Sequence, residues 1–268
     1  MANGMKVLQS FSAAQPTLTN KELVMLTGLS KGTISRLTST LVEKGMLVHD
    51  ARNRCFRLGA GVLGIAYPML ASLRVRQVAR PFMEELANRS GGTVSMGMRD
   101  RLHMIYVETV RGHDLHAFRP EIGAGLPLAA TAMGRAWHAQ ASMEEREDYL
   151  LQARDAGMLD AHVLESLENA RRGYEEKGYC VSLGEWHPDV HAVAAPMKGL
   201  VDNELLIFNC GVRAAQLQTA AIDELFGDLL LEMIDKIRTA LADVQGAGSR
   251  KARSGRAERQ ALLRGAAS

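Results

Sequence analysis

The chain of 268 residues lacks any run approaching the ~18 uninterrupted apolar residues of a membrane span, so no membrane role is expected. Met1–Ser10 lacks the apolar core of a signal peptide, which points to the cytoplasm. Cysteine is scarce. Cys55, Cys180 and Cys210 are odd in number and widely spaced, which excludes a disulfide framework or a zinc ribbon and suits reduced thiols. No G-x-S-x-G elbow, P-loop or H-E-x-x-H motif occurs, so neither an enzyme nor a cofactor is expected. His187 and His191 stand four apart with Glu185 nearby, but Pro188 prevents a regular helix between them, and no metal site is expected. No internal repeat is present.

The formal net charge is only +2, yet it is unevenly divided. Residues 1–80 hold 11 Lys+Arg against 3 Asp+Glu, residues 81–249 hold 15 against 26, and residues 250–268 hold 6 against 1. A basic head on an acidic body is the electrostatic footprint of a nucleic-acid binder, with the acidic body kept off the DNA.

Residues 18–58 carry the most specific pattern. Thr19 and Glu22 have the spacing of a capping box. A short helix follows with Leu23 and Leu26 on one face, and Gly28 supplies a turn. Ser30 caps a second helix, Lys31 to Lys44, with Ile34, Leu37 and Leu41 on one side. Gly32, Ser35, Arg36, Ser39 and Thr40 lie opposite, with Thr33 on the flank. Small hydroxyl residues around a guanidinium suit a major groove, where Arg reads guanine. Gly45 stops the helix, and Met46–His49 pairs with Cys55–Leu58 around a turn at Asp50–Arg54. A hairpin bearing Arg52, Arg54 and Arg57 completes a winged helix-turn-helix. The expected DNA contacts are Lys31, Thr33, Ser35, Arg36, Ser39, Thr40, Arg52 and Arg54.

The first helix is expected over Gly4–Ala13. Beyond the wing, Val62–Leu73 reads as an apolar linker helix whose face packs either on its copy in a second chain or within this one. Val75–Asn88 reads as a helix that Pro81 bends. Strands are expected at Thr93–Met98, His103–Thr109, Leu115–Phe118, Tyr179–Leu183, Val190–Met197 and Glu204–Gly211. Helices are expected at Thr131–Gln140, Ser142–Gln152, Asp160–Lys177 and Ala215–Val244. The fold class is α+β: an N-terminal winged helix-turn-helix at 1–60, linker helices at 61–90, a second domain at 91–245, and a basic disordered tail at 246–268.

Three segments stand out in the second domain: Leu126–Ala136, Gly178–Val190 and Ala192–Met197. With TGLSKGTISRLTSTLVEKGMLV and RCFRLGAGVL upstream, the chain resembles the IclR family of bacterial transcriptional regulators from residue 3 to about 244. That resemblance implies a GAF-like effector domain, a homodimer or homotetramer on a palindromic double-stranded DNA operator, and a small organic effector, often a carboxylate or aromatic acid. Three positions depart from the family pattern: Arg135 replaces a Lys, Val24 replaces a small residue, and Phe208-Asn209-Cys210-Gly211 replaces an S-x-S-G stretch. The last change removes two hydroxyls and adds a ring, so a larger or more apolar ligand is expected.

Thr131 opens a helix, which leaves the backbone N–H groups of Ala132, Met133 and Gly134 free for an anion. Ala195, Phe208 and Cys210 are expected to wall the pocket, and Met96 and Met98 either wall it or fill the core. Glu185 and His187 lie on a loop, either orienting polar groups of the ligand or pairing on the surface. Two other functions stand beside a sensor: a DNA-binding protein whose second domain only oligomerises, and an enzyme carrying a DNA-binding head.

Overall fold

The structure is a computed structural model that describes residues 1–112, 120–197, 204–216 and 226–244. It divides into two compact units, Met1–Leu73 and Arg74–Ser268.

In the first unit, α1 (Ala2–Gln9) precedes a short strand β1 (Thr17–Thr19). The capping box forms as its residues dictate: Thr19 N–H donates to Glu22 Oε2 at 2.7 Å, and Glu22 N–H donates to Thr19 Oγ1 at 3.3 Å. That starts α2 (Asn20–Thr27), which ends on Gly28 at φ +69°. Ser30 caps α3 (Lys31–Glu43) by accepting the Thr33 N–H. The wing is β2 (Leu47–Asp50) with β3 (Cys55–Leu58), and β1 pairs with the far side of β3. Val7, Phe11, Leu18, Leu23, Ile34, Leu47 and Phe56 form one core. Helix α4 (Ala60–Ser72) follows Gly59, where a Cβ would stand 2.2 Å from Gly45 O, so only glycine permits this approach. No residue of α4 is buried, and Leu63, Ile65 and Tyr67 are exposed.

The second unit is built on a six-stranded antiparallel sheet in the order β6-β5-β4-β9-β8-β7. Its strands are β4 (Thr93–Asp100), β5 (His103–Arg111), β6 (Gly125–Pro127), β7 (Cys180–Leu183), β8 (Val190–Pro196) and β9 (Ile207–Arg213). Side chains alternate between the faces of a sheet, so parity assigns each one. One face carries Val94, Met96, Val193, Ala195, Phe208 and Cys210. It is covered by α5 (Val75–Ser90), with Ala79, Met83, Leu86 and Ala87 buried, and the helix at 226–244 lies beside α5, where Lys236 reaches Glu85. Pro81 sits inside α5 without ending it. The buried Glu108 ties β5 to α5 through Arg76 and Arg80, each at 3.0 Å.

The opposite face packs under α6 (Ala132–Gln140), α7 (Met143–Asp155) and α8 (Ala161–Lys177). Met104, Tyr106, Met133, Trp137, Tyr149, Leu167, Ala194 and Ile207 belong to this core. Strands β1 and β6 were not expected. The strand expected at Leu115–Phe118, the start of the last helix and the basic tail fall outside the described residues.

Candidate functional site

On the first unit, α3 presents the face its pattern implies. Ile34 and Thr38 are buried, whereas Lys31, Ser35, Arg36, Ser39 and Thr40 are exposed. Thr33 is half-buried, its hydroxyl 3.0 Å from Ser30 Oγ, and so completes the cap. Arg36 forms no ion pair among the described residues, so its guanidinium is available to an outside acceptor. Asp50 builds the wing turn by accepting from the N–H of Arg52 at 3.0 Å and of Asn53 at 3.1 Å. The Asn53 N–H, then its side chain, hold the Asp50 carboxyl below its ordinary range. Arg54 takes a positive φ of 53°, and Arg52 and Arg54 are both exposed on the turn. The geometry is a polar helix beside a basic hairpin, matched in size to a major groove and its flanking phosphates.

On the second unit, a cavity of about 30 Å³ lies between the sheet and the start of α6. Its sheet wall is Thr93, Ser95, Tyr106, Asn209 and Gly211; Thr131, Ala132 and Met133 close one side, and Ser182, Trp186, Val190 and Ala192 another. Most of these polar groups are already paired. Thr131 Oγ1 donates to Pro127 O at 2.9 Å and accepts the Gly134 N–H at 3.2 Å. Thr109 Oγ1 donates to Ser95 Oγ at 3.1 Å, and Ser182 Oγ donates to Glu185 Oε2 at 2.9 Å. Asn209 is different. It is 8% exposed and its Oδ1 has no partner among the described residues, while its amide bonds Tyr106. Burial raises the Tyr106 hydroxyl above its ordinary pKa, and the Asn209 bond opposes this less strongly, so the phenol stays neutral. The N–H groups of Ala132 and Met133 head α6, where no intrahelical acceptor exists. The cavity therefore offers an anion-favouring helix end facing an unpaired amide oxygen.

The expected ligand residues separate into two groups. Thr131, Ala132 and Met133 line the cavity. Gly134 does not, because a Cβ there would lie 2.0 Å from Leu128 O; its lack of a side chain serves backbone packing. Ala195, Phe208 and Cys210 are corrected to the opposite face. The register Thr93↔Gly211 and Ser95↔Asn209 puts the odd-numbered residues of β9 toward the cavity. Phe208 pairs with Met96 and Ala195 under α5, so its ring does not reach the cavity, whose aromatic walls are Tyr106 and Trp186 instead. Glu185 is also corrected: its carboxylate turns to Arg135 at 2.7 Å, to Ser182 Oγ and to Leu183 N–H. Sequence reasoning missed Asn209, Tyr106, Ser95 and Trp186. The available signal was a lone amide between Phe208 and Cys210 in an otherwise apolar strand.

The buried thiols of Cys180 and Cys210 are pushed up to about 12 and about 11 by burial, far from a reactive thiolate. Among the described residues no His, Cys, Asp or Glu cluster could hold a metal ion, and no helix is long and apolar enough to cross a membrane.

Comparison with known proteins matches both units to one family. Residues 68–237 match the family model "Bacterial transcriptional regulator IclR C-terminal", and residues 1–51 match "IclR helix-turn-helix domain". The chain is 34% identical over 244 residues to the HTH-type transcriptional regulator TsaQ1/TsaQ2 of Comamonas testosteroni, covering 90% of this chain and 87% of that one. Among solved structures, an IclR family transcriptional regulator from Brucella abortus superposes with a TM-score of 0.78 at 39% identity, covering 89% of this chain and 91% of that one. An IclR homolog from Microbacterium hydrocarbonoxydans, solved in complex with 4-hydroxybenzoate, shares the fold at 20% identity and a TM-score of 0.68, covering 90% of this chain and 98% of that one.

Proposed function

The chain belongs to the IclR family of DNA-binding transcriptional regulators, and from that premise we propose that it is a cytoplasmic sensor of a small organic acid. Its α3 enters the major groove of a palindromic operator. Arg36 reads a base, and Lys31, Thr33, Ser35, Ser39 and Thr40 meet bases and phosphates, while Arg52 and Arg54 hold the flanking backbone. One winged head offers too little contact for tight, specific binding, so two or four chains act together. The exposed apolar side chains of α4 are the joining surface. Light scattering at micromolar concentration is expected to give a dimer or tetramer; a monomer that still holds its operator tightly would end this part of the reading.

The observation that carries the sensing role is the Asn209 Oδ1, buried and unpaired, in the same cavity as the free N–H groups of α6. An effector carboxylate would take the helix end, and a hydrogen-bond donor on the effector would satisfy the amide oxygen. A thermal-shift panel of organic acids, with 4-hydroxybenzoate as one member, tests it: an acid that binds only the folded state raises the melting temperature. A cavity of only about 30 Å³ favours a second reading, a domain that only oligomerises. Under that reading no acid shifts the transition.

A further inference from the structure

The cavity is built to bind and too small to do so. Ligand pockets typically span about 300–1,000 Å³, against about 30 Å³ here. Some wall has to move. The sheet wall is held by ladder bonds on both sides, since β4 and β9 are interior strands. The α6 wall is held by the buried Met133, Ala136 and Trp137. The remaining walls are Pro120 with Leu126, before and on the edge strand β6, and Trp186, on the connection between the end of β7 at Leu183 and the start of β8 at Val190.

That connection is anchored at its far end by Asp189, whose carbonyl accepts the Ala214 N–H at 2.9 Å, and is fastened at its near end by one carboxylate. Glu185, the neighbour of Trp186, accepts from Arg135, from Ser182 Oγ and from the Leu183 N–H. Arg135 is itself fixed. Its guanidinium donates to Ala129 O at 3.3 Å, to Val181 O at 3.0 Å and to Ser166 Oγ on α8 at 3.0 Å. A lysine has no planar fork with which to make this set of bonds. Gly184, at φ +96°, lets the chain turn sharply just before the carboxylate.

We propose that residues 184–189 form a lid on the effector cavity, with Trp186 as its plug and the Arg135–Glu185 ion pair as its latch. The proposal rests on the sensor reading for what the cavity is for, but not for whether the lid exists. Arg135 and Glu185 are then positioning residues that touch no ligand. They hold Trp186 in place, and effector entry requires their separation or a swing of the loop about Gly184. Ser182, which lines the cavity and bonds Glu185, is the point at which an occupant disturbs the latch.

The test uses the full chain. Trp137 and Trp186 are its two tryptophans, and Trp137 is 2% exposed, so acrylamide quenching of emission reports Trp186. The Trp186→Phe variant should lose the quenchable fraction, which confirms the assignment. In Glu185→Gln the quenching constant should rise several-fold while far-UV circular dichroism and the protection of α6 amides stay as in the parent. A folded Glu185→Gln with unchanged quenching overturns the latch. Should that variant fail to fold, hydrogen exchange on the unaltered chain decides. Amides of 184–189 should exchange through an opening insensitive to low urea, apart from those of β9. Exchange of both segments only by global unfolding overturns the lid. Failure of the acid panel with a mobile Trp186 would instead remove the sensor reading.

Discussion

Replacing Asn209 by Leu should leave stability nearly unchanged and make the protein deaf to its effector. The two side chains are similar in size, and position 209 is buried at 8% exposure. In the unliganded protein the Oδ1 lacks a partner, and leaving a buried acceptor unsatisfied costs about 1–3 kcal/mol. The substitution removes that cost but leaves the buried Tyr106 hydroxyl without its donor, a cost of the same order, about 1–3 kcal/mol. The two offset to within about 1 kcal/mol, so the melting temperature should stay within about 2–4 °C of the parent. Thermal unfolding followed by circular dichroism measures the shift. The same variant should show no further shift with any acid that stabilises the parent, because the acceptor is gone. A larger fall would refute the reasoning. It would mean that a buried water, for which the cavity has room, already satisfies the amide, so that the group is structural and not held open for a ligand.

Arg36→Ala should weaken operator binding by about 1–3 kcal/mol in a gel-shift titration, whereas Arg52→Ala should weaken all sequences alike and lower the salt slope by about one. Equal, unchanged affinity in both variants would remove the groove assignment. Gly134→Ala should lower the urea midpoint of the second unit by an amount equivalent to about 1–3 kcal/mol, because the new Cβ meets the Leu128 backbone and no flexible side chain can give way. A neutral Gly134→Ala would show that α6 shifts freely. Stability should also fall in acid through His138. Burial, helped by Arg146, lowers its pKa from 6.5 to about 4, so below about 6.5 the unfolded chain takes up a proton that the folded chain refuses. The contribution is complete above pH 6.5 and about 3 kcal/mol is lost as pH falls to 4; urea titrations of His138→Phe should lack that part of the slope.

What could be read from the chain follows the range of the interaction involved. Thr19, Ser30 and Asp160 cap their helices through neighbours three residues on, so α2, α3 and α8 were legible nearly to the residue. The exposed face of α3 was legible for the same reason, since periodicity is local. Strand β1 was not, because Thr17–Thr19 is a strand only through pairing with Cys55–Arg57. Strand β6 likewise exists only against His103–Ile105. The cavity wall failed at a single step. Alternation alone does not say which face Phe208 and Cys210 share, and only the pairing of Asn209 with Ser95 fixes the parity. A shift of one residue exchanges a ring for an amide, and with it the expected ligand. Arg135 and Glu185, fifty residues apart, were equally out of reach.

Buried polar groups on the two faces of the sheet show why the cavity, and not another internal site, is assigned to binding. Glu108 lies under α5 and carries a charge, yet it is satisfied by Arg76, Arg80 and the Thr109 N–H, which makes it a fastening between helix and sheet. His138 is unsatisfied at both nitrogens among the described residues, but it is packed beside Tyr149 and outside this cavity, and burial keeps it neutral. Asn209 is the case that combines all three conditions: an unpaired acceptor, space next to it, and the free end of a helix within the same walls. An amide has no ionisation by which to relieve its burial, so its cost persists until a donor arrives. A ligand that supplies the donor recovers that cost as affinity, and this makes position 209, more than any charged residue of the domain, the one to probe first.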